Sequence, residues 1–169
     1  TKNFYTLLKK TDARLNFVPQ VDKDKKLISV IINYEQDLDK TALIMAGGFG
    51  KRLGNLTKKI PKPLLKIGNK SILEKIIQKL EASNYKKIYV STHYLHEKIS
   101  KFLDNRKSTA EIAIIHENKP LGTAGSISSI KNSNFDTLTV LNGDVLTEVD
   151  LNALNQFHKD KKNDLTITV

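Results

Sequence analysis

No cysteine occurs in the 169 residues, which removes disulfide staples, thiolate zinc sites and cysteine nucleophiles together. No apolar run approaches the roughly 18 residues needed to span a bilayer, and the N-terminal stretch lacks a signal-peptide core. A soluble, cytoplasmic protein with no membrane partner is the expectation. Arginine is scarce. The chain carries 28 cations against 18 anions, net +10, but only Arg14, Arg52 and Arg106 are arginines and the other 25 are lysines. The lysines are scattered, and no arginine-rich arm or aromatic RNA-binding signature accompanies them, so no nucleic-acid partner is expected. A solvated lysine surface explains the charge better, although it also suits an anionic substrate and keeps phosphate chemistry open. His93, His96, His116 and His158 show no H-E-x-x-H or other ligand spacing and read as surface or internally satisfied residues.

What the chain does have is an ordinary globular balance, 39% hydrophobic and 27% charged, at a length that suits one domain or one domain plus a fragment. Residues 41–169 alternate short apolar runs with amphipathic stretches. Thr41–Ala46, Lys87–Thr92, Glu111–His116, Thr137–Leu141 and Asp164–Val169 are five strand candidates, rich in aliphatic and β-branched residues. From Ser71 to Ala82, residues Ile72, Leu73, Ile76, Ile77 and Leu80 share one helical face, and Ser71 with Glu74 makes a capping box. Leu95, Ile99, Phe102 and Leu103 repeat at helical spacing, and Asp150 reads as the N-cap of a helix carrying Leu151, Leu154 and Phe157. Strands separated by helices predict βαβ crossovers. The fold class is therefore α/β, a doubly wound, mostly parallel Rossmann-like sheet covered on both faces. Ligands of such sheets bind at the carboxyl ends of the strands.

Residues 1–36 read differently. Two short strands, Asn16–Val21 and Leu27–Ile32, flank the polar turn Asp22-Lys23-Asp24-Lys25-Lys26. The run from Phe17 to Ile31 resembles the closing half of a CBS motif, with Ser29 where that family usually has glycine. A plain β-hairpin explains the same residues, and half a motif cannot build an adenosine-ligand pocket. Residues 37–40 make a linker into the first long strand of the remaining part, 41–169.

Chemistry concentrates after the first long strand, where Gly47-Gly48-Phe49-Gly50-Lys51-Arg52-Leu53 follows Ala46. Glycines there let backbone N–H groups approach phosphate oxygens unobstructed, and Arg52 adds a permanently charged fork. The loop is not a P-loop, since G-x-x-x-x-G-K-[ST] is absent. Leu53 stands where G-x-G-x-x-G needs its third glycine, and Thr92-His93 stands where a dinucleotide site needs an acid. Next, Pro61 and Pro63 hold Lys62 in an extended, stiff loop that aims its ammonium. Taken alone, Lys62 reads as a solvent lysine; beside the glycine loop it reads as a phosphate ligand.

Residues Ala46–Leu53, followed by Pro61-Lys62-Pro63-Leu64, resemble the signature of the sugar-phosphate nucleotidyltransferases, roughly G-G-x-G-[ST]-R-L-x-P-L-T-x-x-x-P-K-P-L. Lys51 departs from its Ser/Thr position and Asn55 from its first proline. The likeness covers residues 41–169. It implies an enzyme joining a sugar 1-phosphate to a nucleoside triphosphate with release of pyrophosphate, for nucleotide-sugar synthesis. By the same resemblance Ala46, Gly47, Gly48, Gly50, Lys51 and Arg52 bind the nucleotide, with Arg52 and Lys62 catalytic. Glu117 to Gly125 is similar to the family's base-binding loop, which puts Glu117, Gly122 and Thr123 at the nucleobase. Asp144, in Asn142-Gly143-Asp144, corresponds to the Mg²⁺-binding aspartate. A carboxylate at a strand's carboxyl end is independently well placed for a hard cation bridging phosphates, although a Gly-Asp pair also makes a plain turn. Glu148 and Asp150 lie near enough in sequence to reach such a metal through water, but Asp150 is the better helix cap.

Two rival readings remain: a non-catalytic nucleotide-sensing module built on the CBS-like arm, and a dinucleotide oxidoreductase already weakened by Leu53. Family members carry a second metal-binding aspartate farther downstream. The 169 residues are thus expected to be an excerpt of a longer regulatory-plus-catalytic protein, binding nucleotide weakly and turning over slowly. Apolar surface left exposed is expected to promote self-association into a homo-oligomer. The base follows from Glu117. A carboxylate offers only acceptors, matching the adjacent N1–H and N2–H₂ donors of guanine, whereas uracil and thymine present one donor between two carbonyls. GTP is therefore expected to outcompete UTP and dTTP in a direct competition assay; a preference for either pyrimidine overturns the assignment.

Overall fold

The computed structural model describes residues 17–32, 40–122, 125–130 and 135–169. The chain divides into two compact units, Thr1–Asp37 and Leu38–Val169. In the first, β1 (Phe17–Val21) pairs antiparallel with β2 (Leu27–Ile32). Their turn is closed by the Asp22 carboxylate, whose Oδ1 accepts from the amides of Asp24 and Lys26, both at 2.9 Å. Short polar side chains that bond the backbone two residues on are what make Asp a turn former. The hairpin is common to the CBS-like and the plain reading.

The second unit is built on four parallel strands: β3 (Thr41–Met45), β6 (Lys87–Thr92), β7 (Glu111–His116) and β8 (Leu138–Asn142). Their order across the sheet is β7-β6-β3-β8, every pair parallel. A small antiparallel pair, β4 (Lys66–Ile67) and β5 (Lys70–Ser71), lies between β3 and the first helix. The helices are α1 (Ile72–Ala82), α2 (His96–Asp104) and α3 (Leu151–Lys161). The central strands are buried on both faces and read as apolar runs, with Ala42, Leu43, Ile44, Ile88 and Val90 all at 0% exposure, as parallel sheets demand. Ile72, Leu73, Ile76, Ile77 and Leu80 of α1, Ile99 and Leu103 of α2, and Leu151 of α3 join them in one core. Burying each such side chain contributes about 1.5–3 kcal/mol.

Both N-caps form, but only half of the expected capping box does: Ser71 Oγ accepts from the Glu74 amide at 3.1 Å, while the Glu74 carboxylate is taken by Arg106 and Gln78. Asp150 Oδ1 accepts from the amides of Asn152 and Ala153. Asp150 is thus engaged as the start of α3. Fully buried Tyr85 keeps its hydroxyl satisfied by Thr139 Oγ1 and Asn155 Nδ2, each at 2.7 Å, which ties α3 to β8.

One strand does not form. The expected fifth, Asp164–Val169, is irregular chain after α3, with Leu165 and Ile167 more than 70% exposed. Alternating Leu165, Ile167 and Val169 has the strand period, but a strand also needs a partner to take its N–H and C=O groups. Among the described residues none lies beside it; instead Thr166 Oγ1 is bonded by His158 and Asn163 at the end of α3.

A partly buried charge cluster holds α1 to the loop after α2. Arg106, 8% exposed, donates through Nε and Nη2 to Glu74 and through Nη1 and Nη2 to Glu81. Glu81 also accepts from Ser108 Oγ and the Thr109 amide. Chiefly through the Arg106 hydrogen bonds, partly opposed by desolvation, the Glu81 carboxyl is held down at about 2. A carboxyl lowered on folding stabilises above its unfolded value, and that contribution drains away as pH falls from about 4.5 towards 2. Arg106→Ala leaves two partly buried carboxylates without their partner and is expected to cost about 1–3 kcal/mol in urea unfolding at pH 7. Glu81→Gln is expected to flatten the loss of stability below pH 4.5; an unchanged acid limb refutes the role given to Glu81.

Candidate active site

The topology selects the place before any side chain is considered. From β3 the chain runs to β6 and β7 on one side, then returns to add β8 on the other. The connections leaving the carboxyl ends of β3 and β8 therefore run to opposite sides and leave a crevice at the point where strand order reverses, which is where doubly wound sheets bind ligands. A cavity of about 470 Å³ opens there, within the range of small-molecule sites.

Its walls come from four loops. The end of β3 supplies Ala46, Gly47, Gly48, Phe49 and Gly50; the loop after β7 supplies Glu117, Leu121 and Gly122; the end of β8 supplies Gly143 and Asp144; and Lys62 closes one side. Every candidate named from the sequence that lines this cavity does so at a strand's carboxyl end or in the Pro61–Leu64 turn. The backbone of Lys51 and Arg52 opens a 3-10 segment, Lys51–Thr57, next to this wall; their side chains lie outside the described structure. Thr123 also falls outside the described residues.

Close approach of β8 to β3 depends on Gly143. Its amide donates to Met45 O at 2.8 Å. A Cβ on Gly143 would lie 2.7 Å from Met45 O and 3.1 Å from Ala46 Cα. Only glycine allows this contact. At the mouth, Gly50 adopts φ +63, and Thr57, 3% exposed, donates its hydroxyl to Gly50 O at 3.0 Å while its methyl lies against the space a Gly50 side chain would need. The family pattern contains this threonine, but its job as a clamp on the glycine loop is visible only in three dimensions. Because the segment behind the loop is 3-10 and broken at Gly54, no regular α-helix end faces the cavity there. An anion entering there would meet backbone N–H groups and side-chain cations rather than a helix end.

Lys62 is not in an extended loop as its prolines suggested. It starts a 3-10 turn, Lys62–Leu64, between buried Pro61 and Pro63. Proline is tolerated in a first turn because its missing N–H has no intrahelical partner there. The turn directs Lys62 Nζ across the crevice to Asp144 Oδ2 at 2.6 Å, with each side chain about one-third exposed. Residues 82 positions apart thus form the one ion pair of the cavity wall among the described residues.

Glu117 is buried rather than solvent-facing, at 7% exposure. Its amide continues the ladder by donating to Thr92 O, and its Oε2 accepts from the Leu121 amide at 3.2 Å. The carboxylate therefore shapes its own loop, turned at Gly122 with φ +77, while bordering the cavity. At the end of β6, Thr92 bonds His96 and Ile115 O, and that strand end carries no acid for a ribose. The histidines are not a metal cluster: among the described residues no group of three or more His, Cys, Asp or Glu is arranged to hold an ion.

The family profile described as nucleotidyl transferase matches residues 41–169. The chain is 35% identical over 129 residues to a D-glycero-alpha-D-manno-heptose 1-phosphate guanylyltransferase of Aneurinibacillus thermoaerophilus, covering 76% of this chain and 56% of that protein. It is 37% identical over 134 residues to a probable mannose-1-phosphate guanylyltransferase of Oryza sativa subsp. japonica, covering 76% of this chain and 37% of the relative. Among solved structures it superposes on HddC from Yersinia pseudotuberculosis with a TM-score of 0.63 at 30% identity, covering 72% of this chain and 55% of that one. The chain therefore spans about half, or less, of the length of the relatives it matches.

Gly143→Ala is expected to lower stability by about 1–3 kcal/mol through the clash with Met45 O and Ala46. It should also separate Lys62 from Asp144, since the two strand ends must move apart. A variant as stable as the parent in thermal unfolding contradicts the close approach.

Proposed function

The chain belongs to the nucleotidyl transferase family, and from that membership we propose that it carries the nucleotide half of an enzyme transferring a nucleotidyl group from a nucleoside triphosphate, GTP by preference, to a sugar 1-phosphate. The observation carrying this reading is the Lys62–Asp144 pair at 2.6 Å, set beside the glycine loop at the switch point. One group can pair with phosphate and the other with a cation, and both sit where a triphosphate would lie. The guanylyltransferase names of the relatives and the acceptor character of Glu117 support guanine as the base.

In this proposal a phosphate oxygen of the sugar 1-phosphate attacks the α-phosphorus in line. The new P–O bond forms as the bond from the α-phosphorus to the bridging oxygen breaks, and pyrophosphate leaves. The attacking oxygen is already anionic, so no general base is required. Positioning and charge neutralisation carry the rate. Gly47, Gly48 and Gly50 line the phosphate side, Arg52 holds the triphosphate, and Lys62 neutralises charge at the reacting centre. Asp144 fits a Mg²⁺-type cation, because such ions take one or two carboxylates and complete their shell with phosphate oxygens and water. When bound, that cation supplies further charge neutralisation of the phosphates.

Arg52→Ala and Lys62→Ala are expected to cripple turnover more than folding, since both lie in loop segments and the Lys62 side chain is one-third exposed. Each charge-assisted contact is worth about 1.5–3 kcal/mol, roughly tenfold to over a hundredfold in rate. Pyrophosphate release from GTP and a sugar 1-phosphate, with calorimetric GTP affinity as second readout, is the measurement. Full activity in either variant removes that residue from the mechanism, and a parent chain that binds no nucleoside triphosphate removes the reading.

A further inference from the structure

His93 stands between the two loops that line the cavity from opposite sides. Its Nδ1 lies 2.7 Å from Glu117 O. A carbonyl oxygen can only accept, so Nδ1 carries the proton and donates. On its other side the imidazole meets the Phe49 ring edge-on, centroids 5.4 Å apart at 84°, an arrangement aromatic pairs favour. Its Cβ lies 3.3 Å from the position a Gly47 Cβ would take. The next amide, Tyr94, approaches Gly47 O at 3.5 Å, and the Tyr94 ring also contacts Phe49. No other described side chain combines a hydrogen bond to the Glu117 loop with a ring contact to the glycine loop.

We propose that His93 is a positioning residue that couples the glycine loop to the Glu117 loop, so that the phosphate side and the base side of the cavity are set together. The functional part of this inference rests on the nucleotidyl-transfer reading; the coupling itself does not. The hydrogen bond fixes the carbonyl of Glu117, whose own carboxylate holds Leu121 and so shapes the loop. The ring edge fixes Phe49, which stands between Gly48 and Gly50. The two contacts use different parts of one side chain, and they are separable by substitution. His93→Phe keeps an aromatic edge for Phe49 but loses the donor. His93→Asn offers a donor at about the Nδ1 position but loses the ring.

Amide hydrogen exchange on the unliganded chain reads each half. Leu121 N–H reports the Glu117 loop through its bond to Oε2, and Leu53 N–H reports the glycine loop through its bond to Gly50 O. Ala46 N–H, bonded to Ser91 O inside the sheet, is the integrity control. His93→Phe is expected to speed Leu121 exchange about tenfold or more and leave Leu53 within about twofold. His93→Asn is expected to do the reverse, and a general packing role would not produce this crossed pattern. Equal effects of both substitutions on both amides, or none, overturn the coupling. Should His93→Phe fail to protect Ala46, His93→Asn decides alone: Leu121 must stay protected while Leu53 speeds up. Calorimetry with GTP, UTP and tripolyphosphate reads the consequence. His93→Phe should reduce the GTP-to-UTP affinity ratio about tenfold with tripolyphosphate binding unchanged, and an unchanged ratio refutes the functional part. A parent chain binding none of the three overturns the nucleotide reading and that part with it, while the exchange data still decide the coupling.

Discussion

Because a side chain at position 143 would collide with Met45 O, the ends of β3 and β8 can lie side by side only with glycine there. That contact closes the parallel pairing of the two strands at its carboxyl end, where the Gly143 amide donates to Met45 O. The rest of the site hangs on it. With the strand ends held together, the glycine loop leaves β3 on one side and Asp144 leaves β8 on the other, and Lys62 can reach across the gap. The reversal of strand order supplies the crevice, and one missing Cβ lets the two strand ends lie this close.

Around that contact, the molecule uses polar groups in two different ways. Remote from the crevice, Arg106 pairs with Glu74 and Glu81 in a partly buried position. Such a cluster adds orientation more than net stability, because desolvation offsets most of the Coulomb attraction. It fixes α1 against the segment leading into β7. At the crevice, Lys62 and Asp144 form a pair that is open to solvent. Water competes for both groups there, so the pair is weakly held, and in the proposed reaction it would exchange partners for a phosphate and a cation. Exposure separates the two clusters.

Much of the fold was legible in the chain. Lys87–Thr92 and Glu111–His116 are strands over the residues their apolar runs indicate. The α1 stripe and both caps follow from local spacing and local hydrogen bonds. Where reading failed, the missing information was non-local. Asp164–Val169 has a strand's alternation but no neighbouring strand to pair with, and no local pattern reports a partner. The prolines flanking Lys62 indicated a stiff segment correctly, yet not that it coils into a 3-10 turn, which depends on both rings being buried. His93 carried no motif at all; its meaning comes from a carbonyl 24 residues away and a ring 44 residues back.

By itself the sequence determined the class of sheet and the loops whose residue types suit phosphate, because periodicity, capping and glycine placement are local properties. Only the tertiary structure decided which of those residues meet. The order β7-β6-β3-β8 sets Lys62 against Asp144, buries Glu117 beside the cavity and puts His93 between two loops. Those juxtapositions arise from strand order and close approach, and neither is written in the spacing of residues along the chain.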